Sequence, residues 1–107
     1  MTRTRHPPSA MPKVLEAGAK VIAKDEDYGE WKFSWRVVVE APPHAECYTK
    51  VVFVDEDDFE VESTFDSSTV PSSGRLVLRG TTLIDESLAR TITNTLASVE
   101  VEPDDSE

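Results

Sequence analysis

The stretch WKFSWRVVVEAPPHAECYTKVVFVDEDDF, residues 31–59, decides the fold. Up to Ala41, aromatic and aliphatic residues occupy every second position, with mostly polar residues between them. Period two is the spacing of a β-strand that buries one face. A proline pair ends this strand, because proline has no N–H to donate to a neighbouring strand. A second strand is predicted over Glu46–Val54, and the acidic turn Asp55–Asp58 closes the stretch.

The second strand is apolar on both of its faces. Cys47, Val51 and Phe53 alternate on one face, and Tyr48, Val52 and Val54 lie on the other. This pattern is typical of a strand in the centre of a sheet. We expect the two long strands to be neighbours that set the register of the others. Cys47 is the only cysteine, so it has no internal disulfide partner, and we expect it to be a small core residue.

The rest of the chain is dominated by short strand patterns separated by turns. Strands are predicted near Ala19–Lys24, Phe59–Ser63 and Arg75–Thr82. Thr64–Gly74 is predicted to be a loop with Phe65 and Val70 as its buried anchors. Residues 85–97 fit a helix or a strand, and we predict a helical turn over Asp85–Arg90 followed by a strand from about Thr91 to Glu102.

Six or seven short antiparallel strands and no long helix predict an all-β, immunoglobulin-like β-sandwich. An open sheet packed by one C-terminal helix is the alternative. With 107 residues, the chain can form one core. We expect a disordered arm over residues 1–12, a single sandwich domain over residues 13–102 and an acidic tail over residues 103–107.

The chain carries 21 acidic and 11 basic residues, a formal net charge of −10. This charge disfavours binding to nucleic acid and docking on an anionic membrane. Solubility, or the salty interior of a halophilic source, explains it best, and a basic partner is a further option. No apolar run is long enough for membrane insertion, and no signal peptide is visible. We therefore expect a cytoplasmic location if the chain is complete and an extracytoplasmic one if it is an excised domain.

Residues 31–101 resemble bacterial FxLYD-type domains. The resemblance is carried by W-x-x-x-V-V-V, a proline loop, V-V-F-V-D-E-D-D-F, a Ser/Gly turn before L-V-L-R-G, and a closing S-L-A-R-T-I and S-V-E-V. Val51–Asp55 occupies the place of the signature strand, where only Asp55 matches the family pattern outright. The resemblance implies an immunoglobulin-like sandwich with a non-catalytic role, and the family supplies no active-site residues.

The residue patterns needed for most enzyme chemistry are missing from the sequence. There is no nucleophile motif G-x-S-x-G, no phosphate-binding glycine loop and no set of four zinc ligands. The acidic turn is the best metal candidate, since Ca²⁺ prefers loop carboxylates, and its ligands would be Asp55, Asp57 and Asp58. A solvated turn in an acidic protein is the simpler interpretation. No cofactor is expected apart from this possible calcium ion.

An aromatic stripe on the first long strand is the remaining functional feature. Phe33 and Trp35 are expected in the core, whereas Trp31 lies near the strand end, where it could form a recognition patch with Tyr28. The leading hypothesis is therefore a small non-catalytic module for protein–protein interaction or self-association, with an edge strand as one possible contact. The alternative is a calcium- or small-ligand-binding domain that uses residues 55–58.

Overall fold

A computed structural model describes residues 12–102, and the predicted arm and acidic tail lie almost entirely outside this range. The described residues form six β-strands and one short helix. They are β1 (Lys13–Asp25), β2 (Glu30–Glu40), β3 (Glu46–Val54), β4 (Glu60–Thr69), β5 (Arg75–Asp85), α1 (Glu86–Ala89) and β6 (Asn94–Val101).

The strands form two antiparallel sheets of three strands each. Sheet A has the order β1-β2-β5, and sheet B has the order β4-β3-β6. The chain makes a hairpin in sheet A, crosses to make a hairpin in sheet B, returns to place β5 beside β2, and crosses again to place β6 beside β3. The predicted all-β, immunoglobulin-like sandwich is confirmed.

The two strands that the opening stretch predicts are the central strands of opposite sheets. The expectation that they are neighbours within one sheet is therefore wrong. Period-two alternation shows that a strand has a buried face, but it does not show which strand completes its ladder. The proline loop carries the chain between the sheets, with the amide of Ala45 donating to the carbonyl of Pro42 and His44 at a positive φ of 70°.

The core lies between the inner faces of β2 and β3. From β2 it takes Phe33, Trp35, Val37 and Val39, and from β3 it takes Cys47, Val51 and Phe53. The rings of Phe33 and Phe53 meet across the sandwich with centroids 5.4 Å apart. Because each sheet contributes one alternating face, the sequence pattern of β2 and β3 accounts directly for this core.

Two strands extend beyond their predicted limits. β1 begins at Lys13 and keeps pairing with β2 through two register shifts, at Leu15 and at Ile22. β4 continues to Thr69, through the first half of the segment predicted as a loop, because β3 offers a ladder partner along this whole length. Val70 is buried as predicted, but Phe65 is not an anchor: it lies opposite Lys50 on the outer face of sheet B.

The C-terminal region follows the predicted order of a helical turn and then a strand. The Asp85 side chain caps α1 by accepting from the amide of Ser87 at 3.2 Å, as short polar side chains do at helix starts. β6 then pairs with β3. Its alternation of β-preferring residues therefore describes the structure better than a helical spacing that includes Leu96 does.

Candidate interaction surface

Three connections meet at one end of the sandwich. The Asp25–Gly29 turn joins β1 to β2, and its Gly29 carbonyl accepts from the amide of Glu86 at the start of α1. The Asp55–Phe59 turn joins β3 to β4, and the Val54 carbonyl beside it accepts from Thr93, just after α1. The acidic turns Asp25–Gly29 and Asp55–Phe59 therefore lie at the same end of the sandwich. Asp85, the last residue of β5, and Glu86, the first residue of α1, lie there too.

The first aspartate of each acidic turn binds its own backbone. Asp55 Oδ1 accepts from the amides of Asp57, at 2.9 Å, and Phe59, at 3.0 Å. Asp25 Oδ1 accepts in the same way from the amides of Asp27 and Tyr28. These bonds are typical of Asx turns, in which the carboxylate shapes the loop. They give a structural reason for the repeated D-E-D at both turns.

Asp55, Asp57 and Asp58 share this one turn, but they do not converge. Within residues 12–102, no group of three or more His, Cys, Asp or Glu side chains is placed to hold a metal ion. Asp58 is at a positive φ of 65°, and it closes the turn by donating its amide to the Asp55 carbonyl. Calcium binding at residues 55–58 stays a prediction without a supporting contact in the structure.

Tyr28 and Trp31, the predicted recognition patch, lie at this same end in different surroundings. Tyr28 is highly exposed at the tip of its turn. The indole of Trp31 is half-buried and packs against the core. Lys24 Nζ lies 4.1 Å from its ring centroid and the Arg90 guanidinium 5.8 Å from it, both within cation–π range. The two cations cover the Trp31 ring, so the two aromatic residues do not present one open surface.

Cys47, the only cysteine of the chain, is fully buried in the core. Burial raises the pKa of the Cys47 thiol, and its contact with Thr49, at 3.9 Å, lowers it only in part. A thiol with a raised pKa is a poor nucleophile, because the thiolate is the reactive form. Cys47 is therefore a core residue, as the sequence predicts.

The outer face of sheet B carries one large, exposed apolar or aromatic side chain on each of its three strands. Phe65 on β4 lies opposite Lys50 on β3, and Leu96 on β6 lies opposite Val52, the next residue along this face of β3. Phe65 is 72% exposed, Tyr48 46% and Leu96 45%. We refer to Tyr48, Lys50, Val52, Phe65 and Leu96 as the sheet B patch.

Polar contacts fix the shape of the sheet B patch. Lys50 Nζ lies 3.3 Å from Glu60 and 5.8 Å from the Phe65 ring centroid, so its stem spans the face between the two side chains. The Tyr48 hydroxyl donates to Glu102 at 3.0 Å, which raises the pKa of Tyr48. A shallow groove of about 180 Å³ runs between Tyr48 and Phe65, with Ser98 and Glu100 on its far side.

Sequence reasoning missed this surface because of two local assignments. The sequence predicts Phe65 as a buried loop anchor. Leu96 belongs to residues 85–97, whose pattern fits either a helix or a strand. The sequence nevertheless indicated part of this surface, because Tyr48, Lys50 and Val52 alternate on one face of a strand that is predicted to be central. Continuing the alternation of β4 by two residues past Ser63 would have placed Phe65 beside Lys50 and Val52.

Comparisons with known proteins agree with the fold. The crystal structure of Campylobacter jejuni cj0090 matches with a TM-score of 0.52 over 94% of each chain, at 12% sequence identity. At this identity the likeness concerns the fold alone. No family model matches the chain, and no curated protein does. Among residues 12–102, no helix is long and apolar enough to cross a membrane.

Proposed function

We propose that this chain is a non-catalytic β-sandwich module that contacts another protein through the sheet B patch, with a second copy of the chain as the first partner to test. The observation that carries the proposal is the exposure of Phe65, Tyr48 and Leu96 on a single sheet face, around Lys50 and Val52 of its central strand. Aromatic and aliphatic side chains exposed together are typical of protein contact surfaces, whereas single exposed apolar residues are ordinary.

The mixed chemistry of the patch supports a protein partner. Tyr48 and Phe65 offer large apolar area, and Lys50, Glu60 and Glu100 place both charge signs around it. Interfaces between separately folded proteins combine an apolar centre with a polar rim in this way. The groove between the two aromatic rings would accept a side chain of the partner.

The edge strands support face contact more than strand addition. β1 is interrupted by bulges at Leu15 and Ile22, and it carries Lys13, Lys20 and Lys24. Bulges and lysines are the devices by which proteins prevent pairing at a sheet edge. The sequence suggested an edge strand as one possible contact for self-association. The β1 edge is less suited to this role than the sheet B patch.

Sedimentation velocity over a range of protein concentrations tests the proposal. The wild-type chain is expected to show a concentration-dependent rise in sedimentation coefficient, and Phe65→Ser is expected to shift that rise to higher concentration. Phe59→Ser is the matched control, because Phe59 is 69% exposed but lies in the turn just before β4. Phe59→Ser should sediment as the wild type does.

Two outcomes would contradict self-association through this face. One is a wild-type chain that stays monomeric at every concentration. The other is an equal effect of Phe65→Ser and Phe59→Ser, which would show that general surface hydrophobicity drives association. Circular dichroism of each variant confirms that the fold is intact, so that a loss of association is not a loss of structure.

A further inference from the structure

The outer face of sheet A concentrates the positive charge of an acidic protein. The register places successive rows of side chains on this face, and six of the chain's 11 basic residues lie there. These are Lys13, Lys20, Lys32, Arg36, Arg75 and Arg79. All six are exposed. We refer to this surface as the basic face.

Only part of this charge is neutralised within the face. Glu16 pairs with Arg36, and Glu40 lies 3.5 Å from Lys13. Among the described residues, no carboxylate lies within 4.0 Å of the other four cations. Those four are Lys20, Lys32, Arg75 and Arg79. The rows around Arg36 therefore keep a net positive charge while the chain as a whole carries −10, and Asp25, Glu30 and Asp85 form the acidic last row of the same face.

The centre of the basic face is a groove. Gly18 lies opposite Arg36, and Arg36 lies opposite Arg79, so the absent glycine side chain leaves a notch beside the two guanidinium groups. The groove has a volume of about 330 Å³, and it is lined also by Lys20 and Ser34. A Cβ at Gly18 would meet nothing within 4 Å, so packing does not explain the glycine.

The acidic row at the end of this face lies far from the groove around Arg36, although it adjoins Lys32. Arg36 is six residues from Glu30 along β2, roughly 20 Å at the rise of a strand. The screening length is about 8 Å at physiological ionic strength. An anion approaching the groove is therefore governed by the local cations and not by the net charge.

We propose that the basic face binds an acidic, extended segment of a partner protein. Residues on one face of an extended chain are spaced by about 7 Å, which matches the spacing of alternate residues along β2 and β5. Carboxylates on such a segment would lie over Lys20, Arg36 and Arg79. Its apolar side chains would lie over Val77 and Leu83, which are exposed on the same face.

The composition of the basic face favours polypeptide over nucleic acid. The register places Trp35, which borders the groove, on the inner face of sheet A, where it is buried, so among the described residues the outer face presents no exposed aromatic side chain on which bases could stack. A nucleic acid strand also carries charge along its whole length, and beyond the groove it would meet the carboxylates at Asp25, Glu30 and Asp85.

The basic face lies on the opposite side of the sandwich from the sheet B patch, so the two proposals stand independently.

Fluorescence polarisation with a labelled peptide in which Glu alternates with Thr tests the inference. The intact chain is expected to bind this peptide, and raising the salt concentration is expected to weaken binding. The Lys20→Gln/Arg79→Gln double variant should bind at least about fivefold more weakly. The matched control, Lys24→Gln/Arg90→Gln, removes the same charge at the acidic end of the molecule and should stay within about twofold of the wild type. Phe65→Ser should bind the peptide as the wild type does.

Several results would overturn the inference. Equal binding of a peptide with Gln in place of Glu would show that the carboxylates are not recognised. Equal weakening in both double variants would assign the effect to net charge. Tighter binding of a thymidine oligonucleotide than of the Glu peptide would make this a nucleic-acid surface. Failure of the peptide to bind, with altered sedimentation of Lys20→Gln/Arg79→Gln, would make a second copy the occupant.

Discussion

At the scale of single residues, Gly80 determines how Trp35 packs. A Cβ at Gly80 would lie 2.5 Å from Cζ2 of Trp35, whose ring is buried, so the backbone or the ring would have to shift. We expect Gly80→Ala to lower the free energy of unfolding by about 1–3 kcal/mol, as overpacked cores do. Urea unfolding followed by tryptophan fluorescence measures this.

Gly18→Ala is the matched control for Gly80→Ala, since it makes the same change on the other edge strand of the same sheet with nothing within 4 Å. It should be neutral or slightly stabilising, because alanine restricts the unfolded chain more than glycine does. Equal stabilities of the two variants would show that the Trp35 contact does not constrain the core.

Cys47 gives the protein a predictable response to alkaline pH. Burial holds the pKa of the folded thiol above its ordinary value of 9.0. Above pH 9.0 the unfolded state releases the proton while the folded state keeps it, so the free energy of unfolding falls as pH rises through that window. Between about pH 8 and about pH 10, the wild type should therefore lose more stability than Cys47→Ala does. Equal losses would mean that the thiol titrates alike in both states.

At the scale of elements, the acidic turn Asp55–Phe59 has a structural role, because Asp55 binds two of its backbone amides. Asp55→Ala removes the acceptor for two backbone amides and should cost about 1 kcal/mol, while Asp55→Asn keeps an acceptor oxygen and should cost less. Asp57→Ala is the control, since no hydrogen bond to its side chain is formed among the described residues. Thermal unfolding measures all three, and an equal cost for Asp55→Ala and Asp57→Ala would contradict the account.

The same unfolding experiment with added calcium checks the metal prediction. Because Asp55 already serves the turn and the neighbouring carboxylates do not converge, we expect no change in the wild-type midpoint. A rise that Asp57→Ala abolishes would instead establish a calcium site.

The elements differ in how far the sequence predicts them. β2 and β3 are bounded correctly because strict alternation and a proline pair leave little freedom. The second half of β4 was missed because Ser, Thr and Asp are as typical of loops as of a polar edge strand. What makes Asp66–Thr69 a strand is the ladder with Glu46–Thr49, a contact between segments distant in sequence.

At the scale of the whole molecule, charge is segregated. Carboxylates crowd one end, cations lie on the outer face of sheet A, and the apolar patch lies on sheet B. The net charge does not reveal this segregation, because the register assembles each of the two sheet faces from three separate strands. The weak binding to nucleic acid and anionic membranes that −10 predicts therefore stays a prediction that averages over these different surfaces.

Crowded carboxylates make stability depend on salt. Raising sodium chloride from about 10 mM to about 0.5 M should raise the thermal midpoint, because screening weakens repulsion between like charges. Near-ultraviolet circular dichroism follows the transition. A lower midpoint at high salt would show that the surface ion pairs, such as Lys13 with Glu40, outweigh the repulsion.

The central claim, that the sheet B patch is the contact surface, is tested most directly by backbone amide NMR spectra recorded as a function of protein concentration. We predict concentration-dependent shifts confined to β3, β4 and β6 around Tyr48, Phe65 and Leu96, with β1 and β5 unchanged, and no such shifts in Phe65→Ser. Shifts centred on β1 or β5, or an unchanged spectrum at every concentration, would contradict it.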